Sequence, residues 1–147
     1  MKILVPVDGS ACSLQALEVA VDFAATVHAD VVIGHVVSLA EVALLSGGEA
    51  QLLPGCLEEE EERGKAVLAE AIARAGNRVV VSSRTEEGEP VEQIERMAAD
   101  IRPAFIVIGS HGRNGITRAL MGSVAEGVMR AAPCPVMVVP ARCGTAA

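Results

Sequence analysis

Two short segments carry the residue types and spacing best suited to chemistry. Val107-Ile108-Gly109-Ser110-His111-Gly112-Arg113-Asn114-Gly115 sets a glycine-rich turn behind a short apolar run, and Met121-Gly122-Ser123-Val124 reads as a helix start. The spacing is Gly, two residues, Gly, nine residues, Gly-Ser. Glycine lets backbone N–H groups approach an anion with no Cβ in the way, and a helix N-terminus adds unpaired donors and the positive end of a dipole. The chemistry this pattern suits is the holding of phosphate. Bulk at Gly109 or Gly122 is therefore expected to cost binding and leave the fold intact.

The side chains around these glycines admit two readings each. His111 invites a catalytic role, but a histidine in such a loop more often lends a ring N–H to a phosphate, or faces water, than acts as an acid or base. Arg113 and Arg118 lie in the nine-residue spacer and either supply positive charge near a polyphosphate or are solvated. Asp8, in Asp8-Gly9-Ser10, taken alone reads as a helix start; beside a phosphate loop it reads as a ligand contact. The acidic run 58–62 is a charged helix start favoured by the dipole, and five consecutive helical residues point in different directions, so they do not converge on a metal.

Missing motifs narrow the chemistry. There is no GxxxxGK[ST], and the lysines are Lys2 and Lys65, so no P-loop lysine pulls on a terminal phosphate. A GxGxxG after the first strand, a GxSxG elbow and an HExxH are also missing. Such a site holds a nucleotide with few groups aimed at breaking it. The alternatives are a slow ATPase or self-phosphorylating protein, with Ser110, Ser123 and Thr117 the nearest acceptors, and a nucleotide-free interaction adaptor.

Composition bounds the rest. At 147 residues the chain is read as a single domain, 1–147, long enough for a core of its own. Hydrophobic residues make up 51%, yet no apolar run reaches the roughly 20 residues that span a bilayer. Met1-Lys2 leads straight into a strand, so a cytoplasmic location is expected. Cys12, Cys56, Cys134 and Cys143 show no metal-ligand spacing and are expected to be reduced, with Cys143 the most accessible. A net charge of −7 speaks against a nucleic-acid surface. With no Trp, no Tyr and only Phe23 and Phe105, an adenine would lie against aliphatic side chains and backbone groups.

The elements that must position these residues alternate between strand and helix. Strands are expected over 3–7, 31–37, 79–84, 104–108 and 136–139. After Ser10 a helix places Leu14, Leu17, Val21 and Ala24 on one face. Residues 38–55 are loop with a helical turn over 41–45. A helix over 56–75 turns Val67, Leu68, Ala71 and Ile72 inward and stops at Gly76-Asn77. The third helix opens at Gly88-Glu89-Pro90 and buries Val91, Ile94, Met97 and Ala98. The fourth opens at Gly122-Ser123 and uses Val124, Val128 and Met129. Five apolar strands joined by helical crossovers imply a doubly wound parallel sheet with both faces covered.

The opening Ile3 to Ser10, His35-Val36, the glycine segments and the closing Ala132-Pro133-Cys134-Pro135-Val136-Met137-Val138-Val139 together resemble the universal stress protein family, in its ATP-binding branch. The resemblance implies a Rossmann-like, adenine nucleotide alpha hydrolase-like α/β fold of strand order 3-2-1-4-5, so that the loops after strands one and four converge at the switch point. It implies that Pro6 and Val7 line the base, that the Val36 backbone helps hold adenine, and that Asp8 contacts the ribose or a Mg2+-phosphate. Ile108, Gly109, His111, Gly112, Arg113, Gly122, Ser123 and Val124 complete the implied site. His35 is expected to be a packed strand-end residue. The ligand implied is ATP or another adenine nucleotide with Mg2+, and the protein a nucleotide-responsive regulatory module with protein partners. A homodimer through Val136–Val139 is also implied, with Val138 in a dry interface.

Overall fold

The computed structural model describes residues 1–45, 47, 55–113 and 120–141. In chain order these form β1 (Lys2–Pro6), α1 (Ala11–Val27), β2 (Asp30–Ser38), α2 (Leu39–Leu45), α3 (Cys56–Ala75), β3 (Val81–Gly88), α4 (Pro90–Ile101), β4 (Phe105–Gly109), α5 (Ser123–Ala131) and β5 (Val136–Val139). All sheet neighbours are parallel and the order is β3-β2-β1-β4-β5, as expected. Placing β1 beside β4 brings the loops that follow them to one crevice, where the winding reverses.

Local chemistry sets the helix ends. Ser10 caps α1, its hydroxyl accepting the Ser13 N–H at 3.2 Å. Glu89 does the same for α4, accepting the Glu92 N–H at 2.9 Å, with Pro90 at the first helical position. Gly76, at φ 64°, ends α3.

Alternation along the strands feeds two cores. On one face Ile3, Val5, Ile33 and Val107 pack with Leu17 and Val21 of α1 and Val67 and Ala71 of α3. On the other, Leu4, Val32 and Ile106 pack with Ile94 and Met97 of α4 and Val128 of α5. Both faces are covered over β1, β2 and β4; the edge strands differ. β3 is largely exposed and runs over Val81–Gly88, later than the expected 79–84. β2 is nine residues long and offers partners from Val31 to Ser38, so the pairing carries β3 through Glu86 and Glu87 despite their poor strand composition.

Two residues expected inside lie outside. Ile72 of α3 is 43% exposed and Met129 of α5 is 44% exposed. The inward stripes are Val67, Ala71 and Ala75 on α3, and Ala125 with Val128 on α5. Each misplaced residue sits one position, about 100°, around the helix from a stripe.

Candidate functional site

The crevice beyond the ends of β1 and β4 encloses about 710 Å³ of space, the open solvent at its mouth included. Pro6, Val7, Val36, Ile108 and Val124 line an apolar part; Asp8, His111, Gly112 and Arg113 line a polar part, with Gly109 between them. Gly122 and Ser123 are not among the lining residues. The Phe23 and Phe105 rings form an edge-to-face pair with centroids 5.4 Å apart, away from the lining.

The apolar end is shaped by an interrupted sheet ladder. Along β2, even-numbered residues turn their backbone groups toward β1: Asp30 N–H donates to Met1, and the Gly34 carbonyl accepts from Val7 N–H at 2.8 Å. The next rung would run from Val36 N–H to the Val7 carbonyl. That carbonyl instead accepts from His35 Nδ1 at 2.8 Å. His35 is a buried strand-end residue, as expected, and it also fills a role the sequence did not suggest. Its ring replaces a ladder bond, so the Val36 N–H and C=O face the crevice at the point where β1 leaves the sheet.

At the polar end, Asp8 joins the two loops. Its Oδ1 accepts the Ser10 N–H at 2.9 Å and its Oδ2 accepts the Arg113 N–H at 3.1 Å. Ser10, not Asp8, caps α1, so neither reading of Asp8 alone describes it. Gly112 permits this contact, since a Cβ there would lie 2.8 Å from Asp8 Oδ2.

Gly109 lines the crevice and also has a task the sequence did not suggest. A Cβ at this position would lie 2.9 Å from the Cys12 backbone carbon and oxygen. It is a packing glycine that lets α1 lie against β4, so bulk there strikes the fold first. Gly122 N–H donates to the Ser110 carbonyl at 2.7 Å, and a Cβ on Gly122 would approach that oxygen to 3.1 Å. Its amide is already spent within the loop; Gly122 docks the start of α5 against residues 110–112.

His111 Nδ1 is hydrogen-bonded to Ser110 Oγ at 2.8 Å, and that hydroxyl accepts the Ala141 N–H at 3.2 Å. Ser110 is therefore a buried bracket between the glycine loop and the segment after β5, poorly placed as a phosphoryl acceptor. Ser123 is exposed at the first turn of α5. Asn114, Gly115, Thr117, Arg118 and Cys143 lie outside the described residues. Cys12, Cys56 and Cys134 are free thiols, and burial pushes the Cys134 thiol up.

Three charged lining residues were not foreseen: Glu41, Glu60 and Arg63. Arg113 Nη1 donates to Glu41 Oε2 at 2.7 Å and lies 3.7 Å from Glu60 Oε2. Arg63 Nε lies 3.5 Å from the same Glu60 oxygen, a charge contact without hydrogen-bond alignment, and its Nη2 donates to the Asp8 carbonyl at 3.4 Å. The acidic run is thus not a uniformly solvated face. Glu60 turns inward, its side chain 8% exposed, while Glu58 and Glu59 stay in solvent. The signal was periodic: 60, 64, 67, 71 and 75 form one stripe along α3.

Among the described residues, no three His, Cys, Asp or Glu side chains converge as a metal site, and no helix is long and apolar enough to cross a membrane.

The sequence model of the Universal stress protein family matches residues 1–140. A universal stress protein of Methanocaldococcus jannaschii is 34% identical over 139 residues, covering 94% of this chain and 81% of the relative. Among solved structures, a universal stress protein in complex with cAMP superposes with a TM-score of 0.71 at 26% identity, over 95% of this chain and 96% of that one. The universal stress protein from Archaeoglobus fulgidus in complex with dAMP gives 0.68 at 25% identity, over 94% and 96%.

Proposed function

The chain belongs to the universal stress protein family, and from that premise we propose that it binds an adenine nucleotide, ATP as its Mg2+ complex, and works as a nucleotide-responsive regulatory module in the cytoplasm. The observation that carries this reading is the pair of Val36 backbone groups turned into an aliphatic crevice by the missing ladder rung. An N–H beside a C=O complements an edge of adenine, which offers an acceptor beside an amino donor. Pro6, Val7, Ile108 and Val124 supply the apolar walls that a chain without Trp or Tyr must use for the base. The cAMP and dAMP bound by related proteins support the same ligand class.

In this reading the phosphates lie toward the glycine loop and the α5 N-terminus, where Gly122 caps without a side chain. Mg2+ would neutralise phosphate charge. Asp8 would be the carboxylate to hold it, and because both Asp8 oxygens already accept backbone amides, its other ligands would come from phosphate and water. A single domain suffices for this site. The partner is a second copy of the chain along β5, whose outer edge is open and whose Met137 is 40% exposed.

Mass spectrometry of small molecules released by denaturing the freshly purified protein tests the reading. Adenine nucleotide near one per chain is the expected result. Its absence, together with no binding of added AMP or ATP, would make the protein an interaction adaptor.

A further inference from the structure

Among the described residues, the two arginines at the polar end of the crevice are already engaged. Arg113 is held by Glu41 at 2.7 Å and faces Glu60 at 3.7 Å, and Arg63 faces the same Glu60 oxygen at 3.5 Å. With Asp8, three carboxylates stand against two guanidinium groups among the described residues, leaving one formal negative charge in excess. Glu60 is the one of the three that solvent screens least: its side chain is 8% exposed, against 32% for Glu41. Charges in such a partly desolvated crevice act on one another more strongly than at a surface.

Resting on the nucleotide-binding reading above, we propose that Glu60 is a specificity-determining residue that makes the crevice discriminate by phosphate charge, favouring a nucleoside monophosphate over a metal-free triphosphate. A monophosphate carries one phosphate to the loop. A triphosphate brings about two further negative charges against a fixed buried carboxylate and must draw Arg113 away from Glu41 and Glu60 to be compensated. A divalent cation on the triphosphate removes most of that conflict, so the same residue makes triphosphate binding depend on the metal. Glu41 acts in the same direction through Arg113, and less strongly because water screens it.

Calorimetric titration of the whole chain with AMP, ADP and ATP in chelator, then with Mg2+, tests this. Wild type should bind metal-free ATP at least about tenfold more weakly than AMP, with ADP between, and Mg2+ should close most of the gap. Glu60→Gln should shrink the metal-free ratio of ATP to AMP dissociation constants severalfold and blunt its response to Mg2+. Glu41→Gln, on the short α2 helix at a half-exposed position, should shift it the same way by less, and decides the matter if Glu60→Gln does not fold. Equal affinities for metal-free ATP and AMP in wild type, or an unchanged ratio in folded variants, overturns the role of Glu60. No binding of any of the three nucleotides, with or without Mg2+, overturns the nucleotide reading itself.

Discussion

The Asp8 carboxylate accepts the backbone N–H of Arg113 at 3.1 Å across 105 residues of sequence. Through that bond the loop after β1 fastens the glycine loop after β4, while the other Asp8 oxygen holds Ser10 N–H at 2.9 Å and stiffens the approach to α1. Asp8→Ala would release both.

Because Ser10 supplies the α1 cap, the stability cost of Asp8→Ala should stay near that of two partly exposed hydrogen bonds, about 1–2 kcal/mol. Nucleotide affinity should fall by about tenfold or more, since the phosphate donors lose their placement. Calorimetry beside a thermal melt separates the two. A melt lowered with affinity intact would reduce Asp8 to a purely structural residue.

Gly109 and Gly112 should separate fold from binding. Gly109→Ala drives a Cβ onto the Cys12 backbone at 2.9 Å and should cost about 1–3 kcal/mol of stability. Gly112→Ala meets only the movable end of Asp8 at 2.8 Å, so it should melt near wild type yet bind nucleotide poorly. Chemical denaturation and titration of the two variants would show opposite patterns; equal destabilisation would dissolve the distinction.

The edge of β5 is best tested at Met137. Val138, expected in the interface, packs against the core of its own chain beside Val136, so a charge there would damage the protomer. Met137 is 40% exposed. Met137→Asp should turn a dimer into a folded monomer in sedimentation, because the two-fold axis sets like charges together. A wild type that sediments as a monomer at high concentration removes the homodimer.

Turnover should be slow. Neither Lys2 nor Lys65 lines the crevice, and the guanidinium of Arg113 is held by Glu41. Phosphate release from ATP and Mg2+ should therefore fall far below the roughly 1–100 per second typical of kinases. His111→Ala should change it little. Brisk release lost in that variant would place His111 at the centre of an enzyme.

Strand and helix content was legible from local pattern, because the inward residues of α1 and the caps at Ser10, Glu89 and Pro90 act within a few positions of one another. The glycine spacing likewise announced close backbone approach after β4, which a Cβ at Gly109, Gly112 or Gly122 would obstruct. By itself, then, the sequence determined the element order and the family. Only the tertiary structure decided how the parts meet. Glu60 faces the crevice because the α3 stripe is laid against β2, and β3 extends through Glu86 because β2 is there to pair with it. Val36 opens to the crevice because His35 takes the Val7 carbonyl. Gly109 serves packing because α1 presses on β4. Each of these is a contact between residues far apart in the chain, and neither periodicity nor spacing carries information about which distant partner will fill a given hydrogen bond or volume.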